Sequence, residues 1–260
     1  MDSTYTNKVL KLAVYAGEIM MRNGAEIYRV EDTIVRICTV CGIKHTEVFA
    51  TPTGVFISIA SDNTEISAKT YIKRIRAVTT DLSKISRINR FSREFVSTDM
   101  SVDEAMEVLK SIDEKRPYPE PVRLLGAALV ASAFCLIFDG GVFDAVIAFI
   151  AGSASYVLSL LLDRYGINYF IHGLLCCAVA SAIALAATEV VPGTSYMPII
   201  IGTLMIYVPG VAITNSIRDF LTGDMLSGLA RMTEAVLTAA SLATGSGIAI
   251  TLWHLMGGGI

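Results

Sequence analysis

Hydrophobic residues change texture along this chain near Pro121. Before it, apolar positions recur at the spacing of packed helices and strands, with charges between them; after it, apolar runs succeed one another almost unbroken. Val9, Leu12, Ala13, Ala16, Ile19 and Met20 share one helical face, which predicts a helix over Thr4–Arg22 stopped by Asn23-Gly24. Ile27, Val30, Ile34, Ile37, Cys38 and Cys41 form a second stripe, ended by Gly42. The period then falls to two. Val55, Ile57 and Ile59 alternate with Phe56, Ser58 and Ala60, Asp62-Asn63 marks a turn, and Ile66 to Lys73 alternate again. This predicts a hairpin, with a third strand at 45–50. Helices return at Asp81–Phe95 and Val102–Glu114, the latter opened by Ser101 and Glu104 at capping-box spacing. Pro117, Pro119 and Pro121 stiffen the chain ahead of the apolar runs, since proline neither continues a helix nor donates an amide. The pattern predicts an α+β domain over residues 1–116, a proline-rich linker over 117–121 and a membrane domain over 122–260.

About 20 apolar residues are needed to cross a bilayer as a helix. Val122–Phe138, Val142–Leu162, Tyr169–Val191, Met197–Ile217 and a stretch from Thr233 to Met256 are the candidates, the first slightly short and the last longer than required. The expected fold is therefore an α-helical bundle of five transmembrane helices carrying an N-terminal soluble α+β domain. Ala178, Ala182 and Ala186, and Ala235, Ala239, Ala243 and Gly247, form rows of small residues expected to face other helices.

Charge sets the orientation. Of the 21 Lys and Arg, 17 precede Pro121, and the other four are Arg123, Arg164, Arg218 and Arg231. Lys115, Arg116 and Arg123 flank the first span, and the remaining three fall on the same side in a model with the N-terminus inside and the C-terminus outside. The polar opening, MDSTYTNK, does not read as a cleavable leader. Asp and Glu before Pro121 also number 17, so the first part is electrically balanced and does not suit nucleic acid. Cys38 and Cys41 form a lone C-x-x-C with only His45 near in sequence, too few ligands for a structural zinc site; no metal or cofactor is expected.

The densest polar cluster after Pro121 is PGVAITNSIRDFLTGDMLSGLARMTE, Pro209 to Glu234. Pro209-Gly210 falls about 12 residues into the fourth span, roughly 18 Å deep, where a kink or unwound turn would expose backbone dipoles. Thr214 and Asn215 come within about a turn and complete a polar pocket, and Arg218 or Arg231 suits a carboxylate. The expected substrate-binding set is thus Pro209, Gly210, Thr214, Asn215, Arg218 and Arg231, with Asp219, Asp224 and Glu234 as ion-coupling carboxylates. An ordinary cytoplasmic loop explains the same charges if the span is straight.

Three segments carry a family resemblance: AGEIMMRNGAEIYRVEDTI (Ala16–Ile34), GGVFDAVIAFIAG (Gly140–Gly152) and VPGVAITNSIRDFLTGDMLSGLARMTEA (Val208–Ala235). Over nearly its whole length the chain resembles the threonine/serine exporter family, in the larger subunit of its two-component form. That resemblance implies export of small polar metabolites across the inner membrane, threonine and serine in the fused form and a dicarboxylate such as succinate in one split form. It also implies a separate small membrane subunit of four or five spans as partner, and homo- or hetero-oligomers. The family's front domains have been suspected of hydrolase activity; here H-E-x-x-H, G-x-S-x-G and P-loop patterns are all missing, and no catalytic residue is assigned. Glu26, Arg29 and Glu31 read as ion pairs or an interface. The competing expectation is a membrane-anchored enzyme or metabolite sensor acting through residues 1–120.

Overall fold

The structure, a computed structural model, describes residues 3–60, 68–76, 78–115 and 118–258. The expected Asp62-Asn63 turn, Ile66, and Pro117 of the linker lie outside the described residues. The chain divides into two compact units, Met1–Arg116 with Val211–Thr233, and Pro117–Gly210 with Glu234–Ile260. The stretch 211–233, placed by its sequence in the membrane domain, thus packs with the N-terminal unit.

In the first unit, α1 (Ser3–Arg22) and α2 (Ile27–Val40) are succeeded by β1 (His45–Thr51), β2 (Gly54–Ala60) and β3 (Ala68–Arg74), then α3 (Leu82–Ser97) and α4 (Val102–Asp113). The strands form one antiparallel sheet in the order β1-β2-β3, with Val48 opposite Ile57 and Phe49 opposite Phe56. Val55, Ile57 and Ile59 turn inward onto a core containing Leu12, Ile19, Ile34, Ile88, Phe91 and Leu109. Period-two alternation put these three on one face, as a pleated strand requires. Gly24 and Gly42, both at φ 83°, end α1 and α2 in the left-handed conformation that glycine adopts without a Cβ penalty. The capping box forms as its spacing predicts: Glu104 N–H donates to Ser101 Oγ and Ser101 N–H to Glu104 Oε2.

The second unit holds α5 (Glu120–Ile137), α6 (Val142–Arg164), α7 (Tyr169–Val190), α8 (Tyr196–Leu204) and the greater part of α10 (Met225–Leu255). Between α8 and α10 comes α9 (Gly210–Thr222), which from Val211 onward belongs to the first unit, as does Met225–Thr233 of α10. Among the described residues four helices, α5, α6, α7 and α10, are long and apolar enough to cross a membrane. The expected fourth span is not one of them: helix stops at Leu204 and resumes at Gly210.

Small residues do bring these helices together, but of the expected rows only Ala235 is buried. Ala182, Ala186, Ala239, Ala243 and Gly247 are exposed, and the buried faces run through Gly173, Cys177, Ala180 and Ala184 on α7 and Ala235, Leu242 and Gly245 on α10. A four-residue row drifts around the helix, and sequence does not say which of two small-residue faces meets a neighbour. Asp144 is buried; its carboxylate accepts from the backbone N–H groups of Gly141 (2.8 Å) and Ser195 (2.9 Å) and ties the start of α6 to the chain entering α8. At Gly202 a Cβ would stand 2.5 Å from Ala131 O and 2.7 Å from Cys135 N, so α5 and α8 touch backbone to backbone. Gly202→Ala is expected to lower the thermal stability of the purified chain by about 1–3 kcal/mol, the usual cost of overpacking.

Candidate functional site

Helix ends leave backbone groups without intrahelical partners. The turn between α1 and α2 is such a place, and Glu26, the N-cap of α2, makes no side-chain cap to its own helix. The missing partners come from α9 and the start of α10. Asn215 Nδ2 donates to Gly24 O (2.9 Å), Arg231 Nη2 donates to Ala25 O (2.6 Å), and Ile27 N–H donates to Asp219 Oδ1 (3.4 Å). Arg218 pairs with Glu26, whose other oxygen takes Arg29 at 2.9 Å. Each of residues 24–27 is therefore held by one side chain from the 211–233 segment.

The segment is shaped for this. Gly223, at φ 93°, turns α9 back along α10; Ser216 Oγ donates to Gly228 O (2.8 Å), and Gly228 lies against the Phe220 ring where any side chain would collide. Asp219 is fully buried. One oxygen caps the N-terminal end of α2, where the helix dipole favours a negative charge; the other faces Arg231 Nε at 3.4 Å without a hydrogen bond among the described residues. Burial pushes the Asp219 carboxyl above the usual carboxylate range, and the Arg231 charge and Ile27 amide only partly offset it. Burial also pushes Glu26 up, but hydrogen bonding from Arg29 and the charges of Arg29 and Arg218 outweigh it and leave that carboxyl low.

The residues singled out in the sequence thus fall into three places. Asn215, Arg218, Asp219 and Arg231 meet at the α1–α2 turn. Asp224 sits in the turn before α10, its N–H donating to Asp219 O and its carboxylate near Thr222 Oγ1. Pro209 ends the interruption, Gly210 opens α9, Thr214 is exposed on α9, and Glu234 is exposed in the second unit.

A second polar group, little signalled in the sequence, lies within the second unit around the interruption. Ser155 Oγ on α6 donates to Cys176 O on α7 (3.0 Å) and stands 2.8 Å from Tyr207 Oη. A carbonyl only accepts, so the serine proton is taken and Tyr207 must donate to Ser155. One turn along α6, Ser159 Oγ lies 3.0 Å from His172 Nε2, which also faces Asp163 Oδ1 at 3.5 Å. The His172 and Tyr207 rings meet edge to face with centroids 6.3 Å apart. The available signals were the four-residue spacing of Ser155 and Ser159 and the histidine inside an apolar run. Cys38 and Cys41 are buried free thiols, and burial pushes Cys38 up to about 11.

Four helices among the described residues that are long and apolar enough to cross a membrane fit a helical membrane protein. The family model "Putative threonine/serine exporter" (ThrE) matches residues 11–253, and the chain belongs to that family. It is 26% identical to a "Probable threonine/serine exporter" of Mycobacterium tuberculosis, covering 100% of this chain and 48% of that protein. It is 23% identical to the "Threonine/serine exporter" of Corynebacterium glutamicum, over 98% and 53%. The chain thus spans about half the length of both. It is also 24% identical to the "Probable succinate transporter subunit YjjP" of Escherichia coli K12, over 99% of each. No solved structure matches.

Proposed function

We propose that the chain is a subunit of an inner-membrane secondary exporter for small polar carboxylate-bearing metabolites, threonine and serine or a dicarboxylate such as succinate. The observation that carries this reading is the non-helical stretch 205–209. α8 has nine residues, about 14 Å of rise, under half of a ~30 Å hydrocarbon core. A crossing that starts with α8 therefore passes through 205–209 at membrane depth, and α8 with that stretch supplies the fifth span of the bundle. Non-helical backbone is tolerated there only where protein buries it or water reaches it. Pro209 and Gly210 line the route in this reading; within the first unit, Thr214 is exposed and Arg218, whose side chain is 45% exposed, has a free edge that suits a carboxylate. Asn215, Asp219 and Arg231 hold the α1–α2 turn within the first unit, and Asp224 and Glu234 remain the candidate ion-coupling carboxylates.

Positive residues around the first span favour a cytoplasmic first unit and an external C-terminus. The exposed rows at Ala182 and Ala186 and at Ala239, Ala243 and Gly247 suit close approach of helices from a separate small membrane subunit. The test is export of labelled threonine, serine and succinate from cells producing the full chain with and without such a subunit. Export of one cargo that requires both chains supports the proposal; no flux of any of the three in either arrangement rejects it.

A further inference from the structure

A basic hollow of about 200 Å³ opens between α2 and α3, lined by Arg29, Asp32, Thr33, Arg36, Asn89 and Arg93 among others. A second hollow of about 210 Å³ shares Arg29, Asn89 and Arg93 and has no acidic residue in its lining. Asn89 and Arg93 stand one turn apart on α3, and Arg29 faces them from α2, so the shared wall is two guanidiniums and an amide. Asp32, the only carboxylate against the first hollow, is already engaged by Arg36 at 2.6 Å. Arg93 has no carboxylate partner among the described residues, so its charge is uncompensated where the other two are paired. Guanidiniums present paired N–H donors that match the oxygens of carboxylates and phosphates.

We infer that this hollow binds a small soluble dianion, a dicarboxylate or inorganic phosphate, with Arg29, Asn89 and Arg93 as its ligands. Its volume lies below the roughly 300–1,000 Å³ of drug-sized ligand pockets, which disfavours a nucleotide. Occupancy has a consequence for the α1–α2 turn. Arg29 now donates to Glu26, and Glu26 also holds Arg218 of α9. An anion that draws Arg29 toward Arg93 takes one of the two guanidiniums from Glu26, and the buried carboxylate then relies on Arg218 alone. The site is therefore placed to report anion level to the 211–233 segment.

The proposal needs no transport to be tested, so it stands or falls apart from the exporter reading. Succinate, phosphate and the monoanion acetate are titrated into the detergent-solubilised full chain by calorimetry, at constant ionic strength. The dianions are expected to bind and acetate not. Arg93→Ala, an exposed position whose loss leaves the fold intact, is expected to weaken dianion binding at least about tenfold, with Arg93→Lys in between. Arg87→Ala, on the same helix but outside both hollows, is expected to leave it unchanged. Binding absent from the wild type, or equal in wild type and Arg93→Ala, overturns the site; equal weakening by Arg87→Ala reduces it to general attraction by a basic helix and overturns it too.

Discussion

Arg231→Ala is expected to destabilise the chain by about 3–5 kcal/mol, the usual cost of removing one partner from a buried ion pair. Two losses combine. Asp219, fully buried, is left without the charge that faces it, and Ala25 O loses its donor. Arg218→Ala is the internal comparison, because its guanidinium is 45% exposed and Glu26 retains Arg29; about 1 kcal/mol or less is expected there. Thermal unfolding of both purified variants measures the difference. Asp219→Leu added to Arg231→Ala should recover part of the loss, since the stranded charge is gone. Recovery stays partial because Ile27 N–H and Ala25 O both remain uncapped. Equal shifts for Arg218→Ala and Arg231→Ala would mean that the turn at 24–27 is not what these residues hold.

That expectation rests on contacts which sequence alone does not reveal. The elements were legible because their signals are local: the stripe from Val9 to Met20, the Ser101–Glu104 box and the glycines after α1 and α2 each act within a few residues. The interruption before Pro209 was legible for the same reason, since a proline removes a helix bond wherever it falls. What α9 packs against was not. Asn215 and Gly24 are 191 residues apart, and nothing in either segment names the other. In isolation Asn215, Arg218 and Arg231 look like a pocket for a carboxylate, and the chain supplies its own: Glu26, with three backbone groups beside it. The small-residue rows failed similarly, because periodicity fixes a face and only a neighbour decides whether that face is buried.

Under the exporter proposal, Tyr207→Phe and His172→Leu are each expected to slow export several-fold, up to about tenfold, while the chain stays folded. Tyr207 Oη donates to Ser155, which is itself committed to Cys176 O, so the phenol orients the non-helical stretch against α6 and α7. Removing one neutral hydrogen bond costs about 0.5–1.5 kcal/mol, too little to unfold the unit. If the proposed route passes this stretch, the same energy is worth about 2- to 10-fold in rate. His172 is the ionisable group of this cluster, placed between Ser159 and Asp163, and an ionisable side chain inside a span marks a pathway more often than it marks packing. The charged and titratable groups facing it are Asp163 from α6 and Tyr207 from the interruption; α8 carries no charge, and α10 presents Ser241 and Leu242 to the neighbouring Gly173. Ser153 supplies the control. Its hydroxyl donates to Phe149 O within its own helix, so Ser153→Ala should leave export unchanged. Initial rates of cargo efflux, normalised to folded protein in the membrane, separate the outcomes. Full export by His172→Leu would reduce the cluster to a clasp between α6 and α7. Loss of folded protein in Tyr207→Phe would show that the interruption is held by that single hydroxyl, and that the bond costs more to lose than a neutral contact should.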